Sequence, residues 1–227
     1  MIVFQKVTKV FANGDKAIDD VSFKVEPKEF VFVTGPSGAG KTTLLKLMLR
    51  EFLPTEGTIL IDKEDVTKLH PSKLPQLRRS IGAVFQDFKL LWDRTVGENI
   101  ALTLEILGHK EEEIVKHVKQ LLELVGLKNK EDLFPGQISG GELQRTVIAR
   151  ALASKPKILF ADEPTGNLDE ATAMQIMDLL KEINELGTTV LVATHNEALV
   201  DKLGKRKITL EKGKLVTEKE KEADGEK

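Results

Sequence analysis

Apolar and polar positions alternate, in part, over residues 2–11 and again over residues 17–25, where β-branched and aromatic side chains recur. Asn13 and Gly14 stand between the two runs, so the pattern predicts an antiparallel hairpin. The pattern then changes. Phe30–Thr34 is a short continuous apolar run, as expected of a parallel strand covered on both faces, and Gly35 ends it. Leu44, Leu45, Met48 and Phe52 fall at helical spacing, which predicts a helix from Lys41 to Leu53 stopped by Pro54. Short strands follow over Thr58–Ile61 and Ile81–Phe85.

From about residue 95 to 153 the periodicity is helical. It is clearest over 111–125, where Ile114, Val115, Val118, Leu121, Leu122 and Val125 form one stripe. Glu111, Glu112 and Glu113 open that helix, where negative charge suits the dipole, and Gly126 caps it. Strand character returns at Ile158–Ala161 and Val190–Thr194, on either side of a helix over 170–186 that ends at Gly187. Ile208–Leu210 and Leu215–Thr217 predict a closing hairpin around residues 211–214. Residues 218–227 are charged, hold no large apolar group and are expected to be a disordered tail. The outline is an α/β core over 1–86 and 157–217 with an N-terminal antiparallel β part, interrupted by a helical insert over 87–156.

Composition narrows the chemistry. A chain of 227 residues forms one large domain or two small ones. Lys plus Arg is 34 and Asp plus Glu is 36, a net charge of -2 without the basic excess of a nucleic-acid coating protein. With no cysteine, disulfides, zinc–thiolate sites and thiol catalysis are excluded. No apolar run approaches the roughly 20 residues of a membrane-spanning helix. The N-terminus lacks the basic, apolar and small-residue sequence of a secretion signal, so a cytoplasmic protein is expected.

Gly35-Pro36-Ser37-Gly38-Ala39-Gly40-Lys41-Thr42 matches G-x-x-x-x-G-K-[ST] between a predicted strand and a predicted helix. Glycines there let successive N–H groups face a phosphate chain, and the helix N-terminus adds its dipole. Lys41 supplies a point charge at the terminal phosphates, and the Thr42 hydroxyl suits Mg2+. Thr43 is taken as the last nucleotide-binding residue of the segment. Asp162 and Glu163 close an apolar strand, one placed to coordinate Mg2+ and the next to orient or deprotonate water. His195 directly follows another strand, at the sheet edge where parallel sheets bind ligands. Gln86 follows the strand over 81–85 and is a candidate Mg2+ or water ligand. Ser139-Gly140-Gly141-Glu142 opens an amphipathic helix and offers N–H groups and a hydroxyl to a second anion. Two anion sites this far apart in sequence suggest two nucleotides, or one nucleotide shared across a dimer.

At these residues the chain resembles the ABC-transporter ATPase family over positions 1–217. Gly35–Thr42 matches its Walker A loop, Gln86 its Q-loop, Ile138–Glu142 its signature, Ile158–Asp162 its Walker B strand, Asn167-Leu168-Asp169 its D-loop and His195 its switch histidine. The resemblance implies a P-loop NTPase (RecA-like) core and a Mg-dependent ATPase. It implies Glu163, His195 and Lys41 as catalytic residues, and Thr42, Gln86 and Asp162 around Mg2+. It adds Phe11 as an adenine-stacking aromatic and Asp169 at the nucleotide. It also implies a head-to-tail dimer of two copies, with each ATP held between Walker A of one copy and Ser139–Gly141 of the other. Phe11 stands where a tyrosine is usual, Ile138 where leucine is usual, and Leu143 where glutamine is common; none of these removes a phosphate ligand.

A narrower resemblance lies in Val84–Leu91, Asp93–Val96, Glu98 and Asn99. It points to the cell-division branch of the family, whose members pair with an integral membrane permease. That would hold the chain at the inner face of the membrane, with no nucleic-acid partner. Ala161–Asp169 is shared with lipoprotein- and macrolide-export ATPases, which form the alternative. Trp92 and Gly97 depart from the cell-division pattern, and Trp92 suits either a partner-facing position or helix packing.

Overall fold

In the computed structural model, residues 1–219 are described. β1 (Ile2–Val10) and β2 (Lys16–Val25) form the expected hairpin, with Ile2 opposite Val25 and Val10 opposite Lys16. The Asn13 side-chain oxygen accepts from the Asp15 N–H at 3.1 Å in the turn. β4 (Glu56–Ile61) pairs with the other edge of β1, and β5 (Glu64–Asp65) with β4, giving a four-stranded sheet in the order β2-β1-β4-β5.

β3 (Phe30–Thr34), β6 (Ile81–Val84), β7 (Ile158–Asp162), β8 (Thr189–Thr194), β9 (Arg206–Glu211) and β10 (Lys214–Lys219) form the second sheet, ordered β10-β9-β3-β8-β7-β6. Only β10 runs antiparallel to its neighbour. Side chains alternate across this sheet. Phe30, Phe32, Leu159, Ala161, Val190 and Val192 enter one core, while Val31, Val33, Ile158, Phe160, Leu191 and Ala193 enter the other. The second core is completed by the antiparallel sheet and α1 (Lys41–Met48). The first is completed by α3 (Val96–Ile106), α4 (Glu111–Leu124), α5 (Gly140–Leu152), α6 (Glu170–Glu185) and α7 (Glu197–Leu203). Both faces of the parallel sheet are thus covered, which is why its strands read as unbroken apolar runs.

Several boundaries differ from expectation. The first helix ends at Met48, not Leu53, because Arg50 takes a left-handed conformation (φ 55) and the Glu51 and Phe52 N–H groups both turn back to the Lys46 carbonyl. The helical stretch over 95–153 is broken at 107–110 and 125–139. Val115, expected on the buried stripe of α4, is exposed, whereas Val118 and Leu122 are buried. The short α2 (Leu74–Arg79) and α7 were not expected. β10 runs through Lys219, so residues 218 and 219 are strand rather than tail; 220–227 lie outside the described residues. Among the described residues no helix is long and apolar enough to cross a membrane.

Candidate nucleotide site

Thr34, Asp162 and Thr194 end three parallel strands whose order β3-β8-β7 makes them neighbours. The residues that follow them, Gly35, Glu163 and His195, therefore emerge along one sheet edge. Gly35 (φ 140) and Gly40 (φ 109) bend the loop between β3 and α1 into conformations that side chains rarely adopt. A Cβ would lie 2.1 Å from the Leu210 carbonyl oxygen at Gly35 and 2.6 Å from that of Ala17 at Gly40. Gly40 also precedes α1 without offering a side-chain cap, so the first-turn N–H groups stay free for an anion.

A cavity of about 650 Å³ opens over this loop. It is lined by every residue from Gly35 to Thr43 together with Gln86, Asp162, Glu163 and His195. Lys41 is buried; its Nζ donates to the Gly35 carbonyl at 2.8 Å and the Pro36 carbonyl at 3.2 Å, and lies 3.3 Å from Glu163 Oε1. The Thr42 hydroxyl donates to Asp162 Oδ2 at 2.6 Å. Strand alternation explains that contact: Asp162 follows Ile158 and Phe160 onto the face that α1 covers.

Asp162 is buried, and its Oδ1 has no hydrogen-bond partner. Burial pushes its pKa above the ordinary carboxylate value; the Thr42 hydroxyl opposes that shift and the Glu163 charge adds to it. A buried carboxylate with a free oxygen, beside a threonine hydroxyl and facing a phosphate loop, fits a hard divalent cation that also binds phosphate oxygens. Glu163 sits at φ 49, pinned by its N–H to the Ala193 carbonyl at 2.8 Å. Its Oε1 also lies 2.9 Å from His195 Nδ1, within hydrogen-bonding distance. The His195 side chain is 61% exposed, on the solvent side of the cavity.

The remaining expected residues do not line this cavity. Phe11 closes the hairpin turn, its N–H on the Asp15 carbonyl at 2.9 Å, and packs edge-on against Phe52 with centroids 5.2 Å apart. Ser139 is the N-cap of α5 in a capping box: its hydroxyl lies 3.4 Å from the Glu142 N–H, and Glu142 Oε2 accepts from the Ser139 N–H at 2.8 Å. The Ser139 N–H, with Lys130 nearby, lowers the Glu142 pKa. Asp169 caps α6, accepting from the Thr172 N–H at 3.0 Å and its hydroxyl at 2.6 Å. These two helix starts touch. A Cβ at Gly141 would lie 2.5 Å from Thr172 Cγ2, and one at Gly140 3.5 Å from Leu168 Cδ2. Ser139, Gly140 and Asp169 thus form an exposed patch of their own.

Two lining residues escaped the sequence reading. Glu197 opens α7 two positions after His195, and that adjacency was the available signal. Ala17 contributes through its backbone, packed on Gly40, and no side-chain pattern marks it.

Residues 18–166 match the family described as "ABC transporter". The chain is 49% identical over 216 residues to the cell division ATP-binding protein FtsE of Bacillus subtilis, with 95% of each chain covered. It is 46% identical over 221 residues to that of Mycobacterium tuberculosis, covering 97% of this chain and 96% of the other. Among solved structures it resembles a dimeric ATP-binding cassette in a post-hydrolysis state bound to ADP and Pi. The TM-score is 0.88 at 38% identity, covering 98% of this chain and 100% of that one.

Proposed function

The chain belongs to the ABC transporter family and is an ATPase, and on that premise we propose that it is the ATP-hydrolysing subunit of a cell-division complex. It works as a homodimer on the inner face of the membrane, held there by an FtsX-like integral membrane permease. The named relatives support the cell-division assignment over a lipoprotein- or macrolide-export role.

The loop from Gly35 to Thr43 wraps the phosphate chain, and Lys41 places its charge on the terminal phosphates. Thr42 and Asp162, with Gln86 at the cavity rim, would hold Mg2+. When bound, Mg2+ neutralises charge that builds on the transferring phosphoryl group. Glu163 takes a proton from the attacking water as the bond to the γ-phosphorus forms and ADP leaves. His195 holds the Glu163 carboxylate in orientation through the 2.9 Å contact. Ser139, Gly140, Gly141, Glu142 and Asp169 of a second copy close over the nucleotide, which accounts for their clustering outside the copy's own cavity. Phe11 stacks on the adenine from the hairpin end. The helical part, residues 87–156, moves relative to the core as the dimer closes and carries that motion to the permease.

The observation that carries this reading is the convergence of Lys41, Thr42, Asp162, Glu163 and His195 on one cavity. Its test is co-purification of the chain with the membrane protein encoded beside it, with ATP turnover measured for the complex. Failure to associate, with turnover intact, would sink the partner assignment and leave the ATPase.

A further inference from the structure

The segment that follows Gln86 is held in an unusual shape. Phe88 (φ 55) and Lys89 (φ 51) are consecutive non-glycine residues in the left-handed region. Neither of their carbonyls is left to the local backbone. Arg150 spans both: its Nη2 donates to the Phe88 carbonyl at 2.8 Å and its Nη1 to the Lys89 carbonyl at 2.6 Å. Arg150 is part-buried in the last turn of α5, and among the described residues its guanidinium donates to these carbonyls and to no carboxylate. A planar fork reaching two adjacent carbonyls at once is a geometry that arginine provides and lysine does not.

The position of the strap matters more than its strength. Gln86 lines the cavity two residues before the first clamped carbonyl. Ser139 caps the other end of the same helix, which at 13 residues spans about 20 Å. One rigid element therefore presents the exposed Ser139 and Gly140 at its start and grips the Gln86 segment at its end.

We propose that Arg150 is a positioning residue for ATP hydrolysis. Its two-carbonyl clamp holds the left-handed turn at Phe88–Lys89 and so sets where Gln86 meets the nucleotide, coupling α5 to the cavity. This rests on Gln86 acting at the nucleotide, as read above.

The test uses the purified full chain. Arg150→Met is expected to lower kcat about tenfold and to leave the dissociation constant for ATP within twofold and the melting temperature within a few degrees. Arg150→Lys keeps the charge but reaches only one carbonyl, and is expected to fall between the two; it serves if the methionine variant does not fold. Adding Lys89→Gly to Arg150→Met is expected to restore at least threefold in kcat, since glycine takes the left-handed region without the clamp. Gln86→Ala is expected to be as slow as Arg150→Met, and the double variant no slower than either. Wild-type kcat in Arg150→Met beside a slow Gln86→Ala overturns the clamp alone. Wild-type kcat in Gln86→Ala removes the reading of Gln86 and the clamp with it. Joint loss of ATP affinity and melting temperature in both Arg150 variants, without rescue by Lys89→Gly, reduces Arg150 to a packing role and overturns the proposal.

Discussion

Glu163 Oε1 lies 3.3 Å from Lys41 Nζ, and the two side chains are only 10% and 6% exposed. The carboxylate best placed to activate water is thus also the counter-ion of the ammonium best placed to hold phosphate. In such a dry setting the pair competes directly with an incoming phosphate for the same cation.

That competition gives a signed expectation for Glu163→Gln. Removing the negative charge leaves Lys41 wholly to the nucleotide, so ATP affinity rises by about two- to tenfold while hydrolysis falls by about 100-fold or more. Titration with a fluorescent ATP analogue and a phosphate-release assay read the two effects. Wild-type turnover would remove Glu163 from the chemistry. Lys41→Ala runs the other way, weakening ATP binding by about 100-fold, the scale of a lost hydrogen bond to a charged group.

Asp162 sets a pH dependence. Its pKa is raised by burial, so just above the ordinary carboxylate value the folded chain binds more protons than the unfolded one. Ionising Asp162 therefore costs stability as pH rises from the ordinary value to the raised one. The stability of Asp162→Asn relative to wild type, in the absence of nucleotide, should climb across that interval and then level off. Urea unfolding at a series of pH values measures it; a flat difference would show that the carboxylate is not strained by burial. With saturating Mg–ATP the ranking should reverse, because only the wild-type carboxylate gains the cation.

Ser139→Ala separates helix stability from assembly. The capping box is worth about 1 kcal/mol, read as a small fall in melting temperature. ATP affinity of the single chain should not change, because Ser139 lies outside its cavity. Combined with Glu163→Gln, the substitution should abolish an ATP-dependent dimer seen by size-exclusion chromatography. A dimer of undiminished stability would argue against the signature patch as the lid of a second copy's site.

Phe11 stands half-buried at the hairpin turn, edge-on to Phe52 and beneath the Lys9 ammonium. If it stacks on adenine, Phe11→Ala weakens ATP about tenfold, the scale of one aromatic contact, and Phe11→Tyr restores it. GTP and ATP titrations of the alanine variant compare the base-dependent part. Equal affinity to wild type would assign Phe11 to the Phe52 contact alone.

Local signals in the sequence carried most of this site. Gly35–Thr42 declares its loop because backbone geometry demands glycine at set positions, and Asp162 because a charge ends an apolar strand. Pairing across long separation was less legible. The resemblance groups Thr42 with Asp162 around Mg2+, but residue spacing alone does not show that the Thr42 hydroxyl bonds Asp162 directly or that Glu163 serves Lys41 and His195 together, since those contacts follow from strand order. The misjudged end of α1 has a local cause that spacing hides: Phe52 keeps helical register although Arg50 has already reversed the chain. α7 escaped notice because its seven residues give less than two full turns of pattern. Trp92, ambiguous in sequence, is 60% exposed and so is not packed away among the described residues.

The alternation of β7 across two cores also constrains how this chain can change over descent. Inserting or deleting one residue before Asp162 would send Leu159 and Phe160 to each other's cores and turn the carboxylate away from Thr42. Length variation among descendants is therefore expected to collect at 107–110 and within 128–134, between helices. Strands β3, β7 and β8 should keep their residue counts even where every apolar side chain in them has been exchanged.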